Sequence, residues 1–162
     1  MKHHVVLDGP DGAGKTTLAK IICKQYGMWY RHEGPPPPGV PVFQHYSGLL
    51  EQTTEPTVFD RLHVGELVYG PLLRGASGLT REQVDELNEQ VTLVICLPPW
   101  NVCLANTRGR VELIKDVTVL YAAYIRWVVL SVDLEQRALI ERRSREIQVY
   151  DYTASDFHLE VK

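Results

Sequence analysis

Residues 9–16 read Gly9-Pro10-Asp11-Gly12-Ala13-Gly14-Lys15-Thr16 and meet the pattern GxxxxGK[ST] at every fixed position. Before them runs His4-Val5-Val6-Leu7-Asp8, a short β-branched apolar segment that reads as a buried strand. After them, Leu18, Ile21, Ile22 and Tyr26 recur along one helical face until Gly27. A strand, a glycine-rich turn and a helix in this order form the start of a parallel α/β fold. Glycines let the backbone curl so that successive N–H groups face phosphate oxygens. The helix that follows adds positive charge from its N-terminus. Lys15 supplies a cation for the β- and γ-phosphates, and Thr16 a hydroxyl for Mg²⁺. Gly9, Gly12, Ala13, Gly14, Lys15 and Thr16 therefore form a candidate cradle for a nucleoside triphosphate.

The rest of the chain repeats the alternation. Strands are predicted at 28–32, 57–60, 91–97 and 147–152, and helices at 42–52, 61–74, 81–88 and 115–145, the last with a candidate break near Ser131. Thr80-Arg81-Glu82-Gln83 is a capping box. The segment after Pro98-Pro99 is open between a short helix and a loop. Glu33-Gly34-Pro35-Pro36-Pro37-Pro38-Gly39 excludes helix and sheet interior, because proline fixes φ and lacks a donor. With no hairpin signals between strands, the expected fold is a three-layer α/β sandwich on a parallel sheet.

Length and charge narrow the function classes. The 162 residues suit a single domain over 1–162. A net charge of −3 argues against a protein that coats nucleic acid. Cys23, Cys96 and Cys103 are odd in number and without CxxC spacing, which points to a reducing, cytoplasmic setting. The apolar stretch from Val117 to Leu130 is interrupted by Arg126 and too short for a membrane span. No NKxD motif accompanies the P-loop, and no strand ends in paired acids. Together with Asp60-Arg61, this favours phosphoryl transfer to a small acceptor over a GTPase switch or a motor.

Other residues are candidates by position. Glu33 follows a predicted strand, at the sheet end where ligands bind, and suits a sugar hydroxyl or a base's role. Phe43 and Tyr46 are three apart on a predicted helix, where either stacks on a nucleobase or packs in the core. Arg142, Arg143 and Arg145 form a second basic cluster, read as a solvated helix end.

Taken together, these residues resemble the thymidylate kinase family of P-loop nucleoside monophosphate kinases, particularly its short phage-type members. The likeness rests on Leu7 through Thr17, on Asp60-Arg61 with Tyr69 beyond it, and on 91–99 ending in prolines. It also rests on Arg108 and Arg110 ahead of Tyr121 and Tyr124. The resemblance implies a five-stranded parallel sheet, ATP with Mg²⁺, and dTMP as acceptor. It extends the cofactor site to Asp11 and Thr17. Asp11 would organise the acceptor sugar, Asp60 would join Thr16 near the metal, and Arg61 would meet the acceptor phosphate. Gly12 stands where some members carry an arginine, so Arg108 or Arg110, in a lid at about 106–115, would supply it.

The catalytic candidates are thus Asp11, Lys15, Arg61, Arg108 and Arg110. The acceptor candidates are Glu33, Phe43, Tyr46, Asp60, Arg61, Tyr69 and Arg74. Gly70 stands where a base-contacting glutamine is common in the family. A small-molecule nucleotide is the expected partner, and a homodimer is left open. The alternatives are a kinase of deoxynucleosides or of a modified pyrimidine, within DNA included, and a regulatory protein that binds ATP without turnover.

Overall fold

The computed structural model describes residues 4–112, 114–137 and 148–154. In chain order the elements are β1 (His4–Asp8), α1 (Lys15–Tyr26), β2 (Trp29–His32), α2 (Val42–Gln52), β3 (Thr57–Asp60), α3 (His63–Arg74), α4 (Arg81–Asn88), β4 (Val91–Cys96), α5 (Trp100–Thr107), α6 (Val117–Arg137) and β5 (Gln148–Tyr150). The strands form one parallel sheet in the order β2-β3-β1-β4-β5. It is the three-layer, five-stranded P-loop kinase-like architecture that the sequence leads one to expect.

Strand alternation divides the core in two. Val6, Phe59, Leu93 and Ile95 face α2, α3, α4 and α6, where Leu50, Val68, Leu87 and Leu120 complete a buried cluster. Val5, Leu7, Val58, Val94 and Cys96 face the other way, against Leu18, Ala19 and Ile22 of α1 and Cys103 of α5. Every residue of β1 and β3 is buried, whereas all four residues of the edge strand β2 are exposed.

Several boundaries follow local chemistry. The predicted helix at 61–74 begins only at His63, because Arg61 sits at φ 76°, a left-handed conformation that no α-helix contains. The capping box forms as read. Thr80 Oγ1 accepts from Gln83 N at 3.3 Å, and Gln83 Oε1 accepts from Thr80 N at 3.0 Å. After the two prolines the chain forms α5, and α6 runs through Ser131 without a break. Arg142, Arg143 and Arg145 lie outside the described residues. Cys23, Cys96 and Cys103 are free thiols. Among the described residues no helix is long and apolar enough to cross a membrane.

Candidate active site

The glycine-rich turn leaves β1 and lies directly against its neighbours. A Cβ on Gly9, at φ 144°, would come within 2.3 Å of the Cys96 carbonyl oxygen. One on Gly12, at φ 76°, would come within 2.6 Å of the Cys103 carbonyl oxygen. Glycine at these two places lets the loop settle on the end of β4 and on α5. Lys15 opens α1 and is buried, with Nζ donating to the Gly9 and Pro10 carbonyls at 2.9 and 2.7 Å. Both partners are neutral. Burial above all, then the nearby Arg61, lowers the Lys15 ammonium to about 8. A desolvated cation at a helix N-terminus, held by carbonyls alone, suits the phosphates of a nucleotide.

Alternation on neighbouring strands then sorts the acids. Asp60, at the end of β3, faces α1, where its Oδ2 accepts from Thr16 Oγ1 at 2.5 Å and from Tyr30 OH at 3.1 Å. His32 Nδ1 is 3.9 Å from the same oxygen. Thr16 and Asp60 thus offer hard oxygen donors side by side. They match the usual protein share of an Mg²⁺ site, in which phosphates and waters supply the remaining ligands. Among the described residues no group of three or more His, Cys, Asp or Glu side chains forms an all-protein metal cage.

Asp8, at the end of β1, faces the opposite side and is fully buried. Its Oδ1 accepts from Gly9 N at 2.9 Å and Tyr124 OH at 2.6 Å, and its Oδ2 accepts from Gly65 N at 2.8 Å. Arg61 reaches in from the end of β3. Its Nη1 donates to Gly9 O and Tyr124 OH, both at 3.2 Å, and lies 3.5 Å from Asp8 Oδ1. Its Nη2 donates to Asp11 Oδ1 at 2.5 Å, while Tyr69 OH donates to Asp11 Oδ2 at 3.1 Å. The guanidinium lies 5.2 Å from the Tyr69 ring centroid, within cation–π range. Burial, followed by the Asp8 charge, keeps the Tyr124 phenol well above its ordinary range, so it stays a donor.

The remaining candidates are placed less uniformly. Glu33 lies just past β2, with Oε1 accepting from Arg31 Nε. Arg74 pairs with the buried Glu66, whose Oε1 also accepts from Gly78 N at 2.9 Å. Phe43 is half-buried against the larger cluster. Tyr46 corrects the sequence reading: it is 2% exposed, its ring is enclosed by the core, and no face is left for a base to stack on. Burial, then the charges of Glu66, Asp8 and Glu33, raise its phenol far above the ordinary range. Gly70 has no room for any side chain. An added Cβ would meet Glu66 Oε1 at 2.8 Å and Ala76 O at 2.9 Å.

In the P-loop, Ala13 is buried and Thr17 exposed. Arg108 and Arg110 are exposed, in the 108–116 connection between α5 and α6. The base of that connection is tied to the P-loop. Asn106 Nδ2 donates to Gly12 O and to Tyr152 OH, both at 2.9 Å, and the Tyr152 ring covers Gly14.

Sequence reasoning gave no role to Asp8, Glu66 or Asn106. Asp8 carried one usable signal, an acid ending an otherwise apolar strand immediately before the first P-loop glycine. Tyr124 enters the sequence reading through family likeness alone, because its partners Asp8 and Arg61 lie far away in sequence.

No family model matches the sequence, and no curated protein is similar to it. Its fold nevertheless resembles known structures. Bacillus subtilis YorR protein, solved in complex with phosphorylated GDP, is 18% identical, with 93% of this chain and 86% of that one covered and a TM-score of 0.67. Deoxyadenosine kinase from M. mycoides with bound dATP is 18% identical over 94% and 92% of the two chains, at a TM-score of 0.56. A gluconokinase from Sinorhizobium meliloti 1021 is 15% identical over 95% and 85%, at 0.53. At these identities the likeness is one of fold, shared with kinases of differing acceptors.

Proposed function

We propose that this chain is an ATP-dependent phosphotransferase acting on a nucleoside or nucleotide, with dTMP the acceptor suggested by its sequence resemblance. The observation that carries this reading is the division of labour around one P-loop. Thr16 and Asp60 meet on one face of the sheet, while Asp11 and Arg61 meet on the other. Mg²⁺ and ATP, when bound, supply the transferable phosphoryl group and neutralise part of its charge. Lys15, with the loop N–H groups, would hold the phosphates, and Thr16 with Asp60 would hold the metal and its waters. Asp11, fixed by Arg61 and Tyr69, would orient the acceptor. Arg108 and Arg110 would close from the 108–116 connection onto the charge that builds on the transferred group.

Such a reaction needs little covalent chemistry from the protein and much positioning. A regulatory ATP binder would need the cradle alone, so the paired Asp60 and Asp11 contacts favour turnover. ATP labelled at the γ-phosphate, incubated with Mg²⁺ and a panel of nucleosides and nucleotides, tests the reading. Label should appear in one acceptor, and its absence from all of them in a folded, ATP-binding protein would contradict it.

A further inference from the structure

The edge strand β2 is exposed along its length, yet one of its side chains reaches the metal side of the P-loop. β2 runs parallel to β3, with Tyr30 in register with Val58 and His32 with Asp60. Residues in register share a face, so Tyr30 and His32 lie with Asp60 on the α1 side, and Trp29 and Arg31 on the other. His32 stands beside Asp60, but its Nδ1 stops 3.9 Å from Oδ2, too far for a hydrogen bond. Tyr30 starts two residues earlier in the strand, a rise of about 6.6 Å that a tyrosine side chain can span. Its hydroxyl meets Oδ2 at 3.1 Å.

Asp60 is thereby held unevenly. Thr16 Oγ1 and Tyr30 OH both donate to Oδ2, at 2.5 and 3.1 Å, and among the described residues nothing donates to Oδ1. One oxygen is fixed by two protein hydroxyls and the other is left for a cation or its waters. Thr16, having given its proton to Oδ2, keeps its lone pairs, as a metal ligand must. With Thr16 alone, the carboxylate could rock about a single bond. Tyr30 adds a second point of attachment from another element. Desolvation, then the Asp60 charge, raise the Tyr30 phenol, so it stays a donor at neutral pH. Mg²⁺ demands near-ideal octahedral geometry, which a carboxylate already held in one orientation meets at less cost.

Resting on the kinase reading above, we propose that Tyr30 is a positioning residue for the metal–nucleotide complex: its hydroxyl holds Asp60 Oδ2 so that Oδ1 is presented to the cation's coordination shell. Tyr30 acts through Asp60 and touches neither metal nor phosphate.

The test titrates Mn²⁺, a paramagnetic stand-in for Mg²⁺, into the full chain saturated with ADP, and reads bound metal by electron paramagnetic resonance. Wild type, Tyr30→Phe and Asp60→Asn are compared, and ADP binding is measured separately in EDTA. Tyr30→Phe should weaken Mn²⁺ about three- to tenfold, less than the 10–100-fold usual for outer-shell partners, because phosphates supply most of the ligands here. Its affinity for ADP in EDTA should stay unchanged. Loss of ADP affinity in EDTA by the same factor would mark a merely structural role and overturn the proposal. Asp60→Asn should weaken Mn²⁺ more than Tyr30→Phe does. If Asp60→Asn weakens Mn²⁺ and Tyr30→Phe does not, the role of Tyr30 is overturned and the kinase reading stands. If Asp60→Asn leaves Mn²⁺ affinity unchanged, the metal site of the kinase reading falls and this inference falls with it.

Discussion

Asp8 and Asp60 end neighbouring parallel strands, yet their carboxylates lie on opposite faces of the sheet. Leu7 is the residue in register with Asp60, so Asp8 is one residue out of step and its side chain points the other way. Asp60 consequently meets Thr16 on the α1 face, and Asp8 meets Gly65 and Tyr124 on the face of α3 and α6. A one-residue offset thus places one acid beside Thr16 of the P-loop and α1 and buries the other among α3 and α6.

Asp8 should therefore matter for stability before it matters for chemistry. Asp8→Ala removes the acceptor of two backbone N–H groups and of Tyr124, and leaves Arg61 with less compensation. A loss of roughly 3 kcal/mol or more is expected, as for other broken buried charge networks. Tyr124→Phe deletes the hydrogen bond donated to Asp8 and the one accepted from Arg61, and should cost about 1.5–3 kcal/mol. Chemical denaturation of both variants checks the order, and equal stability of Asp8→Ala and wild type would refute the role.

Arg61 occupies a left-handed conformation at the end of β3. Removing its side chain loses the contacts with Asp11 and Asp8, whatever replaces it. Glycine tolerates that φ and alanine does not, so Arg61→Gly should be about 1 kcal/mol more stable than Arg61→Ala. Both variants should lose most acceptor turnover. Thermal melts of the pair, with kinetics alongside, test the two statements separately.

The buried Lys15 gives a pH signature. Its folded value, about 8, lies below that of an exposed lysine, so between about pH 8 and 10.5 the unfolded chain holds more protons. The ammonium's penalty is thus fully present below pH 8 and fades as pH rises through that window. Lys15→Met should be more stable than the wild type at pH 7, by roughly 1–2 kcal/mol after its lost hydrogen bonds are counted. That advantage should shrink toward pH 10. Phosphates near the ammonium raise it again, so ATP binding at pH 8.5 should take up protons, measurable by calorimetry in buffers of different ionisation heat.

Much of this was legible from the chain. The P-loop, the five strands and the capping box were readable because each depends on neighbours in sequence. Less visible was what depends on distant pairing. Nothing local marks Tyr124 as the partner of Asp8, or Glu66 as the buried acid that holds Arg74 and the turn at Gly78. Tyr46 misled because its spacing from Phe43 and Leu50 fits a core stripe and a stacking pair equally well, and packing decided for the core. The start of α3 shifted because the left-handed Arg61 is imposed by contacts with β1 and the P-loop. Its own propensity favours helix.

The 108–116 connection should behave as a lid. Arg108→Ala combined with Arg110→Ala should lower kcat far more than it raises KM for ATP, by about 10³ or more if one arginine acts as a finger in the transition state. Asn106→Ala, which unties the base of this segment from Gly12 and Tyr152, should lower kcat more modestly. Steady-state kinetics of the three variants resolve the lid's share. Near-normal kcat in the double variant would move the transition-state cation elsewhere.

Transfer of label from the γ-phosphate of ATP, compared between wild type and Lys15→Ala, bears most directly on the central claim. Wild-type protein with Mg²⁺ should label a nucleoside or nucleotide acceptor, and Lys15→Ala, still folded by circular dichroism, should lose the activity by orders of magnitude. Undiminished transfer by the folded variant, or no transfer to any acceptor by a wild-type protein that binds ATP, would contradict a P-loop kinase.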